Sequence, residues 1–326
     1  MIKSNNTNRI LRNALTLAGL LLTLLAIPAG AQQFSEWSAP QNLGAPINTT
    51  ALDGCPFISK DGLSLFFATN RTVGSGPTDI FVSHRTSKDD PWGTPVDLGS
   101  NINLPASEEF CPTLSIDAHR LYFVSSRAGG CGGNDLYVSH RQDKDADTGW
   151  EPPVNLGCHP NGPNSSASDI TPSLFEDDDE IAHLYFSSNR AGGLGGQDIY
   201  DSLLQPDGTF ATATNVVELN TAFADQRPNV RRRDGREIFF ESNRPGTFGM
   251  TDLYSATRES NLDPWDPPKN LDDGLAPPVV NSAAVEGRAS LSWDGTELYF
   301  MSNRGGGFGD QDVYVSRRMR IRGNNP

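Results

Sequence analysis

Residues 289–314 read ASLSWDGTELYFMSNRGGGFGDQDVY: an aromatic run closing on Arg, a Gly-rich stretch, then DVY. The same order recurs upstream as LFFATNR (65–71), LYFVSSR (121–127), LYFSSNR (184–190) and IFFESNR (238–244), followed by DIF, DLY, DIY and DLY. From Arg to Asp the spacing is eight residues in every copy: Arg71 to Asp79, Arg127 to Asp135, Arg190 to Asp198, Arg244 to Asp252 and Arg304 to Asp312. A fixed internal period settles the fold class before any local propensity is weighed.

Two further elements lie between the copies. Trp37, Trp92, Trp150, Phe210 and Trp265 each stand five residues before Asn42, Asp97, Asn155, Asn215 and Asn270. Asn48, Asn103, Asn164, Asn220 and Asn281 are each followed five residues later by an acid: Asp53, Glu108, Asp169, Asp225 and Glu286. Copy two carries one extra residue, which leaves Glu108 and Glu109 both as candidates there. Pro56, Pro112, Pro172 and Pro228 come next, with Ala289 in the last copy.

Each unit therefore holds four short strand candidates. Strand A starts at the Pro, B is the aromatic run, C is the DIY segment and D carries the Trp. Apolar residues alternate or cluster between Gly, Asn and Asp turns, with no helical period after the N-terminal segment. Four-stranded units repeated about an axis make an all-β, five-bladed β-propeller of antiparallel blades. The chain opens on a lone D element, FSEWSAPQNLG, and ends on A, B and C of the fifth unit. The N-terminal strand should complete the last blade. Domain bounds follow: 1–31 a signal peptide, 34–319 one propeller, 320–326 a basic tail.

The signal segment places Lys3, Arg9 and Arg12 ahead of an apolar run from Ala14 to Ile27, with Ala29-Gly30-Ala31 as the cleavage site. That run is too short to span a bilayer as a helix. The expected location is periplasmic or secreted, without membrane insertion after cleavage. The net charge of -14 argues against nucleic acid, which needs a basic footprint. The 32 Gly and 23 Pro are largely repeat punctuation.

The pattern P-x-x-S-x-D-G-x-x-L-Y-F-x-S-N-R followed by G-G-x-G-G-x-D-I-Y resembles the TolB-like, WD-repeat-like propeller repeats of exported bacterial proteins. The likeness runs through nearly all of the mature chain. It implies a propeller, whose five blades come from the count of repeats and not from the TolB-type ring of six, and no particular activity, because such repeats serve scaffold, peptidase-associated and envelope proteins alike.

A residue present in all five copies is most simply serving the blade. Each hairpin Arg is expected to bond its Asp: Arg71 with Asp79, and so on through Arg304 with Asp312. Asp53, Glu108 or Glu109, Asp169, Asp225 and Glu286 are expected to ring one channel mouth. The favoured reading has each acid accepting backbone N–H bonds or pairing with a blade Arg. The sharper reading is a cation or cationic-ligand site, since converging carboxylates suit calcium. No other metal and no cofactor is expected. The Gly loops mimic calcium-binding nonapeptides and phosphate cradles, yet they do not run in tandem and no helix follows them.

Export makes disulfides plausible, and Cys131–Cys158 is preferred, with Cys55–Cys111 as a second bridge. Arg231-Arg232-Arg233 and the acidic run Glu176 to Glu180 fall in A–B turns on the opposite face, where charge runs are usually solvated. The functional expectation is a monomeric, non-catalytic binding or scaffolding module for a protein or cell-envelope glycan. The alternative is a carbohydrate-active hydrolase or lyase using mouth carboxylates.

Overall fold

The computed structural model of the chain describes residues 33–177, 181–275 and 279–321. The segment expected to be a signal peptide, most of the expected basic tail and part of the acidic run lie outside these. No helix occurs among the described residues, and so none long and apolar enough to cross a membrane.

The chain opens with two short strands, β1 (Gln33–Phe34) and β2 (Gln41–Asn42). Blade one is β3 (Asp53–Ile58), β4 (Ser64–Thr69), β5 (Asp79–His84) and β6 (Val96–Asp97). Blade two is β7 (Glu109–Leu114), β8 (Arg120–Ser125), β9 (Asp135–His140) and β10 (Val154–Asn155). Blade three is β11 (Asp169–Glu176), β12 (Ala182–Ser188), β13 (Asp198–Leu203) and β14 (Thr214–Asn215). Blade four is β15 (Asp225–Val230), β16 (Glu237–Ser242), β17 (Asp252–Thr257) and β18 (Lys269–Asn270). Blade five is β19 (Glu286–Leu291), β20 (Glu297–Ser302) and β21 (Asp312–Arg317), with β22 (Arg320–Ile321) beyond it.

Every blade is an antiparallel meander, and the fifth has the order β19-β20-β21-β2. The N-terminal strand closes the ring, with Asn42 opposite Tyr314 and Gln41 opposite Val315. Outside this junction β1 pairs with β22, so part of the expected tail is strand. The hydrophobic core is divided into clusters between blades. One joins Phe57, Phe66 and Ile80 of blade one to Leu114, Phe123 and Trp150 of blade two.

Two boundaries differ from the sequence reading. The innermost strand opens on the acid, three residues ahead of the Pro. Each such strand then carries a β-bulge, as between Gly54 and Phe57 or Gln226 and Asn229. The residue just before the Pro or Ala takes a left-handed φ: Cys55 48°, Cys111 49°, Thr171 55°, Arg227 57° and Arg288 53°. A Pro beside the bulge costs no ladder bond, because the pairing is already interrupted there.

The D strand is also only two residues long and does not include the Trp. Trp92, Trp150, Trp265 and Trp37 lie instead beneath Arg85, Arg141, Arg258 and Arg318, with guanidinium carbons 4.1–4.4 Å from the ring centroids. Blade three replaces both partners together: Leu204 stands opposite Phe210.

Candidate functional site

The mouth of the ring is built by a hydrogen-bond scaffold repeated in every blade. Arg71 Nη2 lies 2.8 Å from Asp53 Oδ1 and donates to the Ile47 carbonyl at 2.7 Å. The equivalents are Arg127–Glu109 at 3.4 Å, Arg190–Asp169 at 2.5 Å, Arg244–Asp225, and Arg304–Glu286 at 3.0 Å. Each Arg thus pairs with the acid that opens strand A, correcting the expected partners Asp79, Asp135, Asp198, Asp252 and Asp312.

Those five Asp hold the hairpins by another route. Asp79 accepts from Gly76 N–H at 2.9 Å, Asp135 from Cys131 at 2.6 Å and Asp198 from Leu194 at 2.8 Å. Asp252 accepts from Phe248 at 2.8 Å and Asp312 from Phe308 at 2.6 Å. Burial pushes the carboxyls of Asp79, Asp135, Asp198 and Asp252 up, with neighbouring acids adding to the shift. A Cβ at Gly130 or Gly193 would collide with the Asp carboxylate, while blade four holds the same bond with Thr247 at this position.

The acids opening strand A do not surround an open mouth. Asp53, Glu109, Asp169, Asp225 and Glu286 are all fully buried and engaged by Arg, Ser or Thr and backbone donors. Glu109 is the true equivalent in copy two, while Glu108 is exposed. Buried in five separate blades, these carboxylates do not converge on one ion. Among the described residues no group of three or more His, Cys, Asp or Glu is arranged to hold a metal.

The mouth is stitched instead by the residues one before each hairpin Asp: Thr78, Asn134, Gln197, Thr251 and Gln311. Four of them bridge to the start of the next inner strand, and the Gln197 carbonyl accepts the Asp225 N–H at 2.9 Å. Asn134 Oδ1 and Gln197 Oε1 are buried and have no hydrogen-bond partner among the described residues. Around this ring the hairpin tips of blades three, four and five expose Leu194, Phe248 and Phe308. Glu108 and Asp310 are exposed acids of the same face. Their counterparts in the other blades are Leu52, Ser168, Ala224 and Val285, and Pro77, Gly133, Gly196 and Met250.

Deeper in the channel four of the left-handed residues, Cys55, Cys111, Thr171 and Arg288, line one cavity. Cys55 and Cys111 form a disulfide there, with Cα atoms 4.7 Å apart. Cys131 and Cys158 form the second, with Cα atoms 5.5 Å apart. On the far side Arg227 pairs with Glu241, which also accepts from Gln226 Nε2 at 2.9 Å and Arg288 N–H at 3.1 Å. Arg288 Nη1 donates to Gln311 Oε1 at 3.3 Å. Gly287 leaves room for Glu241, because a Cβ would overlap that carboxylate. Toward the A–B turns Arg232 is buried, donating to the Ile58 carbonyl at 2.7 Å, 4.4 Å above Phe57. The expected solvated run Arg231-Arg232-Arg233 is therefore split. Arg231 is tied to Asp234 and Glu237, Arg232 is interior and Arg233 is exposed.

Sequence reasoning passed over Gln226, Arg227, Glu241 and Arg288. The available signal was departure from the repeat. Glu241 stands where the other blades have Ala68, Val124, Ser187 and Met301.

No family model and no curated protein sequence matches the chain. Among solved structures it is similar to the catalytic domain of Coprinopsis cinerea GH62 alpha-L-arabinofuranosidase. The TM-score is 0.53 at 15% identity, covering 87% of this chain and 97% of that one. An alpha-L-arabinofuranosidase from Lactobacillus brevis gives 0.56 at 14%, covering 84% and 92%. A xylan beta-1,4-xylosidase from Bacillus halodurans C-125 gives 0.55 at 17%, covering 85% and 54%. At such identities the likeness establishes the propeller fold. These neighbours are glycoside hydrolase propellers, not TolB-like rings, which corrects the finer part of the repeat resemblance. They also overturn the expectation of a non-catalytic binding or scaffolding module, and agree with its hydrolase alternative.

Proposed function

We propose that this protein is a carbohydrate-active hydrolase that binds its glycan on the mouth face of the propeller. The observation that carries the reading is the mouth ring of neutral amides and hydroxyls. Its two acceptors without a partner among the described residues, Asn134 Oδ1 and Gln197 Oε1, are closed off in the free protein and become available to sugar hydroxyl donors once their side chains turn toward the mouth. Exposed Phe248 and Phe308, at the hairpin tips of blades four and five, offer apolar faces, as a sugar ring requires. The five repeated acids are committed to holding the blades. Glycosidic hydrolysis needs two available carboxylates, and Glu108 and Asp310 are two exposed acids of this face with no acidic counterpart in the other blades. The two disulfides suit work in the periplasm or outside the cell, with residues 34–319 as the acting unit.

The solved neighbours named above suggest the first panel: arabinofuranoside and xyloside aryl glycosides, arabinoxylan and xylo-oligosaccharides. The purified chain should release sugar from at least one of them. Glu108→Gln and Asp310→Asn should each lower that rate by about 10²–10⁴-fold, the scale of general acid–base catalysis. Absence of turnover across pentose- and hexose-based panels would remove the hydrolase reading. Full activity in both variants would remove the two carboxylates while leaving the reaction class.

A further inference from the structure

The central channel is cationic, although the chain as a whole carries a net charge of -14. Three guanidinium groups reach it, from Arg227, Arg288 and Arg232. The one carboxylate among them is Glu241, fully buried and paired with Arg227. Arg232 has a backbone carbonyl as its acceptor, and Glu176, the acid closest to it electrostatically, is already bonded to Arg120 and the Ile116 N–H. Among the described residues Arg288 has Gln311 as its only side-chain acceptor, and its Nε is buried with no partner. The channel therefore holds more positive than negative charge in a setting where unpaired charge is costly.

Beside Arg288 lies a cavity of about 20 Å³, lined also by the Cys55–Cys111 bridge, Thr171 and Asn229. That volume admits a single water-sized particle and excludes a sugar ring or an oligosaccharide. Blades one and two present the disulfide and Pro rings here, so the positive charge of the lining is on the blade-five side.

We infer that a monovalent anion of halide or nitrate size binds in this channel cavity against Arg288, balancing the Arg227–Glu241–Arg288 cluster. Arg288 lines the cavity and supplies the nearest positive charge, and Arg227 and Arg232 add to the field. The apolar lining suits a weakly hydrated anion better than a divalent one. Burial and repulsion from Arg227 push the Arg288 guanidinium down to about 9, a shift that a bound anion would reverse. The inference is independent of glycan hydrolysis, since the cavity lies beneath the mouth and admits no sugar.

The test replaces sodium gluconate by sodium chloride, bromide or nitrate at constant ionic strength while thermal unfolding is followed in the full chain. The wild type should gain about 2–4 °C or more as the anion passes well beyond half-saturation. Arg288→Gln should lose that gain. Equal shifts in both proteins, or none in the wild type, would overturn the site. If Arg288→Gln does not fold, bromide-soaked wild-type crystals decide: an anomalous peak beside Arg288 supports the site, and its absence overturns it. Galacturonate is the control ligand. An Arg288-dependent shift with galacturonate and none with halides would overturn the inference and assign the arginine to a substrate carboxylate.

Discussion

The pairing of Arg with Trp shows how repeat copies act as internal controls on a single contact. Four blades stack Arg85, Arg141, Arg258 and Arg318 on a Trp, while blade three carries Leu204 and Phe210. The cation fits the indole face electrostatically, and the apolar pair restores packing when both change. In a urea-unfolding cycle, Arg258→Leu and Trp265→Phe should show a coupling of about 0.5–2 kcal/mol, the double variant losing less than the sum. Strict additivity would mean the stacking contributes nothing beyond burial. The hairpin Asp residues make a second case at this scale. Because burial raises the folded carboxyl of Asp198 above its ordinary value, the native state binds more protons than the unfolded chain just above pH 4. Its contribution is fully present below that range and is lost as pH rises through the folded value. Asp198→Asn should therefore gain on the wild type in Tm between pH 4 and 7. A difference that does not change with pH would show that the carboxylate is not penalised.

At the scale of the element, the bulged inner strand is the unit that makes a channel. Its acid turns inward to the hairpin Arg, and its left-handed residue faces the axis at a cost of about 1–3 kcal/mol for a non-Gly side chain. The surrounding bonds over-determine that conformation. Val230 N–H donates to Ser173 Oγ at 3.0 Å, Leu291 N–H to Asn229 Oδ1 at 2.8 Å and Ile58 N–H to Ser290 Oγ at 3.2 Å. Each of these bonds joins neighbouring inner strands, so the bulge is held by the adjacent blade. The same position holds Cys, Cys, Thr, Arg and Arg around the ring, which is how one backbone device yields a disulfide on one side and a charge cluster on the other.

At the scale of the molecule, the ring is closed by very little chain. Strand β2 contributes two residues to blade five, supported by Asn48, whose side chain both donates to and accepts from the Val313 backbone at 2.9 and 2.8 Å. Deleting residues up to 42 would leave β21 as an unpaired edge, the arrangement closed rings avoid. Its Tm should fall by about 10 °C, since loss of a few kcal/mol shifts a domain of this size by that order. A Tm within about 2 °C of the full chain would show that closure does not hold the ring.

The five-bladed architecture, its closing strand and both disulfide pairings were legible in the residues, because five copies of one unit must repeat the same local bonds at the same spacing. That periodicity left Glu108 and Glu109 as rival copies of one repeated acid, and only burial separated them. What the repeat could not specify was contact across blades. Arg71 choosing Asp53 over Asp79, the burial of all five strand-A acids, and the meeting of Arg227, Glu241 and Arg288 depend on how inner strands converge. Convergence on an axis brings together residues of different blades, whose meeting is set by the angle and twist between sheets. Sequence spacing therefore built the blades, and the tertiary ring alone decided which side chains share the channel.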